Sequence, residues 1–383
     1  MKQAQIRVAE PVLDGNESKY VAECIDETWI SSSGRFIDQF EAMLASFCNV
    51  REAVVTNNGT SALHLALAAC GIDAGDEVIL PTLTYVATGN SLHYCNATPV
   101  FVDSESKYLN VDVRRIERAI TPRTKAIMTV PLYGHPVDFD PIQDIAERHD
   151  LMIIEDSAEA LGAKYRGRRV GSLAKCSTFS FFGNKLITTG EGGAITTDDP
   201  ELAARMRFLR GQGVDANRRY WHPEIGYNFR MTNVAAAIGV AQMERIDDKL
   251  SRRQQVAQWY FERLRDATDI LQLPEAAPWA EHSYWMFTVL LQPDVDVDRD
   301  QWMKSLAESG IETRPVFYPL HWMPHFRKYK GYFPVADHCS SRGINLPTHG
   351  NLTQSDVDFV CETMLASIEK LRGRRTAAAA RAA

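Results

Sequence analysis

One feature limits the fold more than any other, the alternation of short apolar runs with helical spacing between residues 53 and 156. Ala53 to Thr56, GDEVILP, TPVFVD, KAIMTV and LMIIED each suit a strand. Between them lie NNGTSALHLALAAC, TYVATGNSLHYCN, VDVRRIERAI and DPIQDIAERHD, each spaced as a helix is. Strands separated by helices cannot pair as hairpins. They call for crossovers, and so for a mostly parallel sheet covered by helices. Ligands of such sheets bind at the carboxyl ends of the strands. Thr56 to Thr60, Pro81 to Tyr85 and Glu155 to Ser157 fall at such ends.

Beyond this region AITTDD reads as a strand that closes the sheet, and ELAARMRFLRGQG as a helix. An aromatic and polar loop spans Val214 to Met231, and one long helical stretch is expected from Asn233 to about Arg265. HSYWMFTVLL and IETRPVFYPL read as strands, DRDQWMKSLAESG as a helix, and Thr353 as the N-cap of a last helix. The expected class is α/β. Residues 1–250 form a large domain with an N-terminal arm, and residues 251–372 a small α+β domain. Residues 373–383, GRRTAAAARAA, have little to bury and read as a disordered tail.

Within this frame one lysine stands out. STFSFFGNKLITTGEGG places Lys185 after a strand and the Gly183-Asn184 turn, with Gly190, Gly192 and Gly193 beyond. Hydroxyls and glycines on both sides suit a pocket better than a solvated helix face. Three other features accompany it. Asp156 ends an apolar strand, where an aspartate often caps the next helix but can also meet a ligand. Gly59, Thr60 and Ser61 open a helix, where free N–H groups and the helix dipole favour an anion. Tyr85 follows PTLT at a strand end. Pyridoxal phosphate requires such a set. Its aldehyde needs a lysine amine, its ring nitrogen a carboxylate, its phosphate an anion cradle, and its ring a flat partner. Ser180 can add a hydroxyl to the cradle.

Charge and cysteine content exclude other classes. A net charge of −7 gives no basic field for nucleic acid. The seven cysteines are scattered without a CxxC pair, so neither a disulfide framework nor a metal site is expected. MKQAQIRVAEP lacks an apolar leader region, and no run is long enough to span a bilayer, so a cytoplasmic location is expected.

EDSAEALG, STFSFFGNKLITTGEGG, NNGTSALHLAL, GDEVILPTLTYVAT and YNFRMTNVAAAIG resemble the nucleotide-sugar aminotransferase family of fold-type I pyridoxal phosphate enzymes. The resemblance runs from about Pro11 to Leu371. It implies a mostly parallel mixed sheet in a large cofactor domain, with a small C-terminal domain. It also implies that Lys185 forms the Schiff base and shuttles protons, Asp156 pairs with the ring nitrogen and Tyr85 stacks on the ring. Gly59, Thr60 and Ser180 would hold the phosphate. Glu159 stands where many members carry histidine, which leaves its role open. The family forms homodimers or larger assemblies with shared sites, and Asn228 resembles the residue that reaches the neighbour's cofactor. The implied reaction moves an amino group from L-glutamate to a keto sugar. The closer resemblance carried by FFGNK, RYWHPEIGYNFRMTN, HSYW and SRGINLP implies GDP-4-keto-6-deoxymannose as acceptor, in surface polysaccharide synthesis. A UDP- or dTDP-keto sugar, a keto-inositol and a non-catalytic regulator are the alternatives. Trp29, Arg35, Arg219, His222, Tyr318 and His321 are the candidate sugar-nucleotide contacts.

Overall fold

The computed structural model describes residues 5–382, of which 374–382 as backbone only. The alternation seen in the sequence is realised. Strands β1 (Glu52–Thr56), β2 (Glu77–Pro81), β3 (Thr98–Val102), β4 (Thr124–Thr129) and β5 (Met152–Asp156) are separated by helical segments. Among these are Gly59–Ala69, Val86–Tyr94 and Phe139–Arg148. A hairpin of β6 (Lys164–Tyr165) and β7 (Arg168–Arg169) follows, then β8 (Cys176–Ser180) and β9 (Gly193–Thr197).

The main sheet has the order β1-β9-β8-β5-β4-β2-β3. Neighbours from β8 to β3 are parallel. The exception is β9, antiparallel to both β8 and β1. Its cause is local: β8 and β9 are joined by the lysine loop, with no helix to make a crossover. The result bears on the site. Thr56 and Ser180, the last residues of β1 and β8, both pair with Gly193, the first of β9. All three therefore lie on the same sheet edge as the end of β5.

Both faces of the sheet are buried, as parallel strands require. Val54, Leu80, Met128, Ile154 and Ile195 face Leu63 and Leu67 of the helix Gly59–Ala69. On the opposite face Val55, Phe179 and Ala194 meet Phe40, Leu44 and Val240. Farther along it, Ile79, Ile127 and Ile153 meet Phe139 and Ile142.

The long helical stretch is two helices, Asn233–Met243 and Ile246–Leu264, because Arg245 (φ −116°, ψ 16°) leaves helical geometry between them. Ile246 packs in the core under the main sheet, whereas Val256, Tyr260 and Leu264 pack in a second core. We place the division between the two units in this helix, at residues 250/251. The second core covers a sheet of β10 (Leu271–Gln272), β12 (Phe287–Leu291), β14 (Gly343–Leu346) and β13 (Arg314–Pro315), in that order and all antiparallel. The remaining strand, β11 (Ala280–Glu281), joins the β6–β7 hairpin.

Three local expectations come out differently. HSYWMFTVLL is a strand only over Phe287–Leu291, since Tyr284 takes φ 49°. IETRPVFYPL pairs over only two residues, as Pro315 and Pro319 lack the N–H a ladder needs. The last helix runs from Gln354 to Ala382, through the segment read as a tail, where alanine and arginine favour helix. The N-terminal arm crosses to the second unit, where Ile6 bridges Ile311 and Val8 O accepts from Thr348 N.

Candidate active site

A cavity of about 810 Å³ opens at the carboxyl edge of the main sheet, walled on its far side by the second sheet. Lys185, Asp156, Glu159, Gly59, Thr60, Tyr85 and Ser180 all line it. The sequence therefore located seven side chains or backbone positions that the fold gathers from residues 59 to 185.

Lys185 sits in a loop tied at both ends. Phe181 N donates to Gly192 O at 2.8 Å, and Thr189 N to Phe181 O at 2.9 Å. Trp285 holds the lysine from the second unit: its Nε1 donates to Asn184 O at 2.9 Å, and its ring centroid lies 3.8 Å from Lys185 Nζ. Burial holds the ammonium below the usual lysine range. Glu159 and Asp156 oppose this, and Arg314 adds a smaller push in the direction of burial. A lysine near aromatic and cationic groups is one that can shed its proton.

Asp156 is 5% exposed. Thr88 Oγ1 donates to its Oδ2 at 2.7 Å, and Ala158 N to its Oδ1 at 3.3 Å. Burial raises the carboxyl, the Thr88 bond lowers it, and the Ala158 N–H and Lys185 also favour its charged form. A buried carboxylate without a cation in contact is costly unless a ligand supplies one. Glu159 is also buried. Tyr133 N donates to its Oε2 at 2.8 Å, and burial pushes it to about 7, with Lys185 acting against that rise.

The anion cradle is compact because its backbone is close-packed. A Cβ on Gly59 would stand 2.8 Å from Ser180 Cβ, and one on Gly193 would stand 2.5 Å from Asn58 O. Asn58 Oδ1 accepts from Ser61 N at 2.8 Å, capping the helix. The amides of Gly59 and Thr60 belong to its unpaired first turn. Tyr85 is half-exposed at the rim, its ring 5.6 Å from that of Phe317. This donor set fits pyridoxal phosphate on its own evidence: a buried carboxylate seeking a cationic N–H, a desolvated amine, and a glycine-narrowed helix N-terminus beside a serine hydroxyl.

The other sequence candidates lie off the cavity wall. Asn228 is exposed, its backbone bridged to Gly211. Arg35 is paired with Glu23 and Glu27 at 2.6 and 2.8 Å. Trp29 O accepts from Asn233 Nδ2 at 2.7 Å. Arg219 lies over the Tyr220 ring at 4.9 Å, and His222 Nδ1 is 3.0 Å from Gln212 O. Tyr318 and His321 follow the wall residue Phe317. Tyr318 stands 3.5 Å from Arg299, and His321 bridges Thr82 Oγ1 at 2.8 Å and Asp337 at 3.0 Å.

Sequence reading did not single out Thr88, Trp285, Arg314 or Asn345, the last three of which line the cavity. Arg314 lies in IETRPVFYPL, where Glu312 and Thr313 beside it make its charge unremarkable. The others lie within the quoted motifs GDEVILPTLTYVAT, HSYW and SRGINLP, but nothing in those motifs marks them individually.

A model of the DegT/DnrJ/EryC1/StrS aminotransferase family matches residues 11–365. The chain is 55% identical over 357 residues to GDP-perosamine synthase of Caulobacter vibrioides, covering 93% of this chain and 96% of that protein. It is 47% identical over 359 residues to GDP-perosamine synthase of Escherichia coli O157:H7, covering 94% and 97%. Among solved structures, Spr1654 of Streptococcus pneumoniae in its PMP form superposes with a TM-score of 0.92 at 27% identity, covering 97% of this chain and 100% of that one.

Proposed function

The chain belongs to the DegT/DnrJ/EryC1/StrS aminotransferase family, and from that premise we propose that it converts GDP-4-keto-6-deoxymannose to GDP-perosamine with L-glutamate as amino donor. The observation that carries the chemistry is Lys185 and Asp156 on the wall of one cavity; identity to two GDP-perosamine synthases carries the substrate. The enzyme is pyridoxal phosphate-dependent, like its family.

When bound, the cofactor supplies a carbon that carries the amino group between substrates and a ring that takes up electron density. Asp156 would hold the proton on the ring nitrogen, and Thr88 keeps that carboxylate charged and aimed. Gly59, Thr60 and Ser180 would hold the phosphate, and Tyr85 would cover the ring face. Lys185, its ammonium weakened by burial, takes up and returns a proton at Nζ as donor and acceptor follow one another. Glu159, buried and near neutrality in its titration, would accept or donate a hydrogen bond on the cofactor's edge.

Two further readings go with this one. The exposed Asn228 and its aromatic loop complete the site of a second copy in a homodimer. Trp29, Arg35, Arg219, His222, Tyr318 and His321 act on the sugar nucleotide across that shared cleft. The setting is cytoplasmic synthesis of a precursor for surface polysaccharide. Among the described residues no helix is long and apolar enough to cross a membrane.

The test supplies purified protein with pyridoxal phosphate, L-glutamate and GDP-, UDP- and dTDP-4-keto-6-deoxy sugars in competition. Mass spectrometry should show the amino sugar on GDP alone. Product on UDP or dTDP sugars moves the substrate assignment; no product from any refutes the activity. Sedimentation at micromolar concentration should show a dimer.

A further inference from the structure

Arg314 is a cavity-wall cation without an acceptor among the described residues. It lies on β13, paired in register with Asn345 of β14. Lys185 and Arg314 are the only lysine and arginine on the described wall of the cavity. Other buried arginines have acceptors: Arg253 donates to the carbonyls of Trp285 and Thr348, and Arg210 Nη1 to Glu41 and Val55 O. Among the described residues Arg314 has neither an ion pair nor a side-chain hydrogen bond. Its surroundings are nevertheless fixed. Asn345 Oδ1 accepts from Thr288 Oγ1 at 2.6 Å, Asn345 Nδ2 donates to Pro315 O at 3.2 Å, and Phe317 N donates to Tyr133 OH at 2.9 Å. A guanidinium on so pinned a strand, with its donors free, suits a planar carboxylate, which it can hold through two parallel bonds.

Amino transfer brings two anions into this cavity, and they carry their charge in different places. In an α-amino acid the carboxylate is bonded to the carbon that loses the amino group. In a nucleotide-linked 4-keto sugar the diphosphate hangs from C1, across the ring from the reacting C4. Arg314 shares the wall with Lys185, whose amine must reach the reacting carbon, and its charge is felt at that amine. A cation on the wall that carries the lysine matches the amino acid better than the diphosphate.

We propose that Arg314 binds the α-carboxylate of the amino donor and so restricts the donor to α-amino acids, an inference that rests on the amino-transfer reading above. Arg314 is then a specificity-determining residue for the first half of the reaction and plays no part in binding the nucleotide.

The test compares the holoenzyme with Arg314→Gln and Arg314→Lys. Calorimetry measures binding of glutarate, a dicarboxylate without an amino group. Absorbance follows the response to L-glutamate alone, and steady-state kinetics give KM for the nucleotide sugar. In Arg314→Gln, glutarate binding should weaken and KM for glutamate rise about 10- to 100-fold, the loss of one charge-assisted pair. KM for the nucleotide sugar should stay within about 2-fold, which also shows that the variant is folded. Arg314→Lys should recover part of the glutarate affinity. Unchanged glutarate binding in Arg314→Gln overturns the proposal, as does equal weakening toward the sugar, or a wild-type enzyme that does not bind glutarate. A wild-type enzyme that binds glutarate through Arg314 yet never reacts with glutamate refutes the amino-transfer reading and leaves the carboxylate site standing.

Discussion

At the scale of single residues, Asp156 and Glu155 are neighbours in sequence with different employment. Asp156 faces the cavity and depends on Thr88, 68 residues away, for its strongest hydrogen bond. Thr88→Val removes that donor and keeps the shape. The carboxyl then titrates higher still and is a poorer partner for a cationic ring, so affinity for pyridoxal phosphate should fall about 10-fold, the equivalent of one lost bond. Titrating cofactor into the apoenzyme measures it. Glu155 points the other way, into the protein, where Ser157 Oγ donates to it at 2.8 Å. Burial lifts it from 4.5 to about 7. The folded chain holds this proton more tightly than the unfolded chain does. The stability it contributes is therefore complete below pH 4.5 and is lost as pH rises toward about 7. Glu155→Gln should flatten that part of the stability profile, read as urea midpoints across the window. Lys185 and Asp156 were legible because a turn, a strand end and flanking glycines mark them locally. Thr88, Trp285 and Arg314 were not, because nothing near them in sequence marks their partner.

At the scale of elements, the cradle depends on how closely three backbones approach. The helix Gly59–Ala69 begins against both Ser180 and Gly193. Gly59→Ala places a methyl carbon 2.8 Å from Ser180 Cβ, so strand or helix must shift. The expected outcome is a loss of cofactor affinity of about 10-fold or more, at a stability cost of about 1 kcal/mol. Equilibrium dialysis against pyridoxal phosphate, with thermal melting alongside, separates the two effects. The strand–helix alternation was legible because its apolar periods are long and regular. The reversal of β9 was not: an antiparallel neighbour and a parallel one leave the same apolar pattern when both faces are buried. The short strands of the second unit were overestimated where prolines and a left-handed tyrosine interrupt an apolar run.

At the scale of the molecule, Arg253 joins the two units. From the helix that passes between them it donates to Trp285 O at 2.7 Å, to Thr348 O, and to Lys185 O at 3.4 Å. Burial draws its guanidinium down to about 10. Arg253→Met leaves three carbonyls without a donor and should cost on the order of 3 kcal/mol. It should also loosen the lysine loop, seen as faster hydrogen exchange at residues 182–189 in the folded protein. No periodicity announces such a link, because an arginine in an amphipathic helix reads as a solvated face.

The cavity wall runs from Asn58 to Asn345 in chain order, and this has a consequence for biosynthesis. A ribosome working from the N-terminus completes the main sheet and exposes Lys185 well before it has made Trp285, Arg314 or Asn345. Until then the Trp285 ring, 3.8 Å from the amine in the finished fold, is not there to cover it. The second unit thus completes the pocket around a lysine that the first unit already carries.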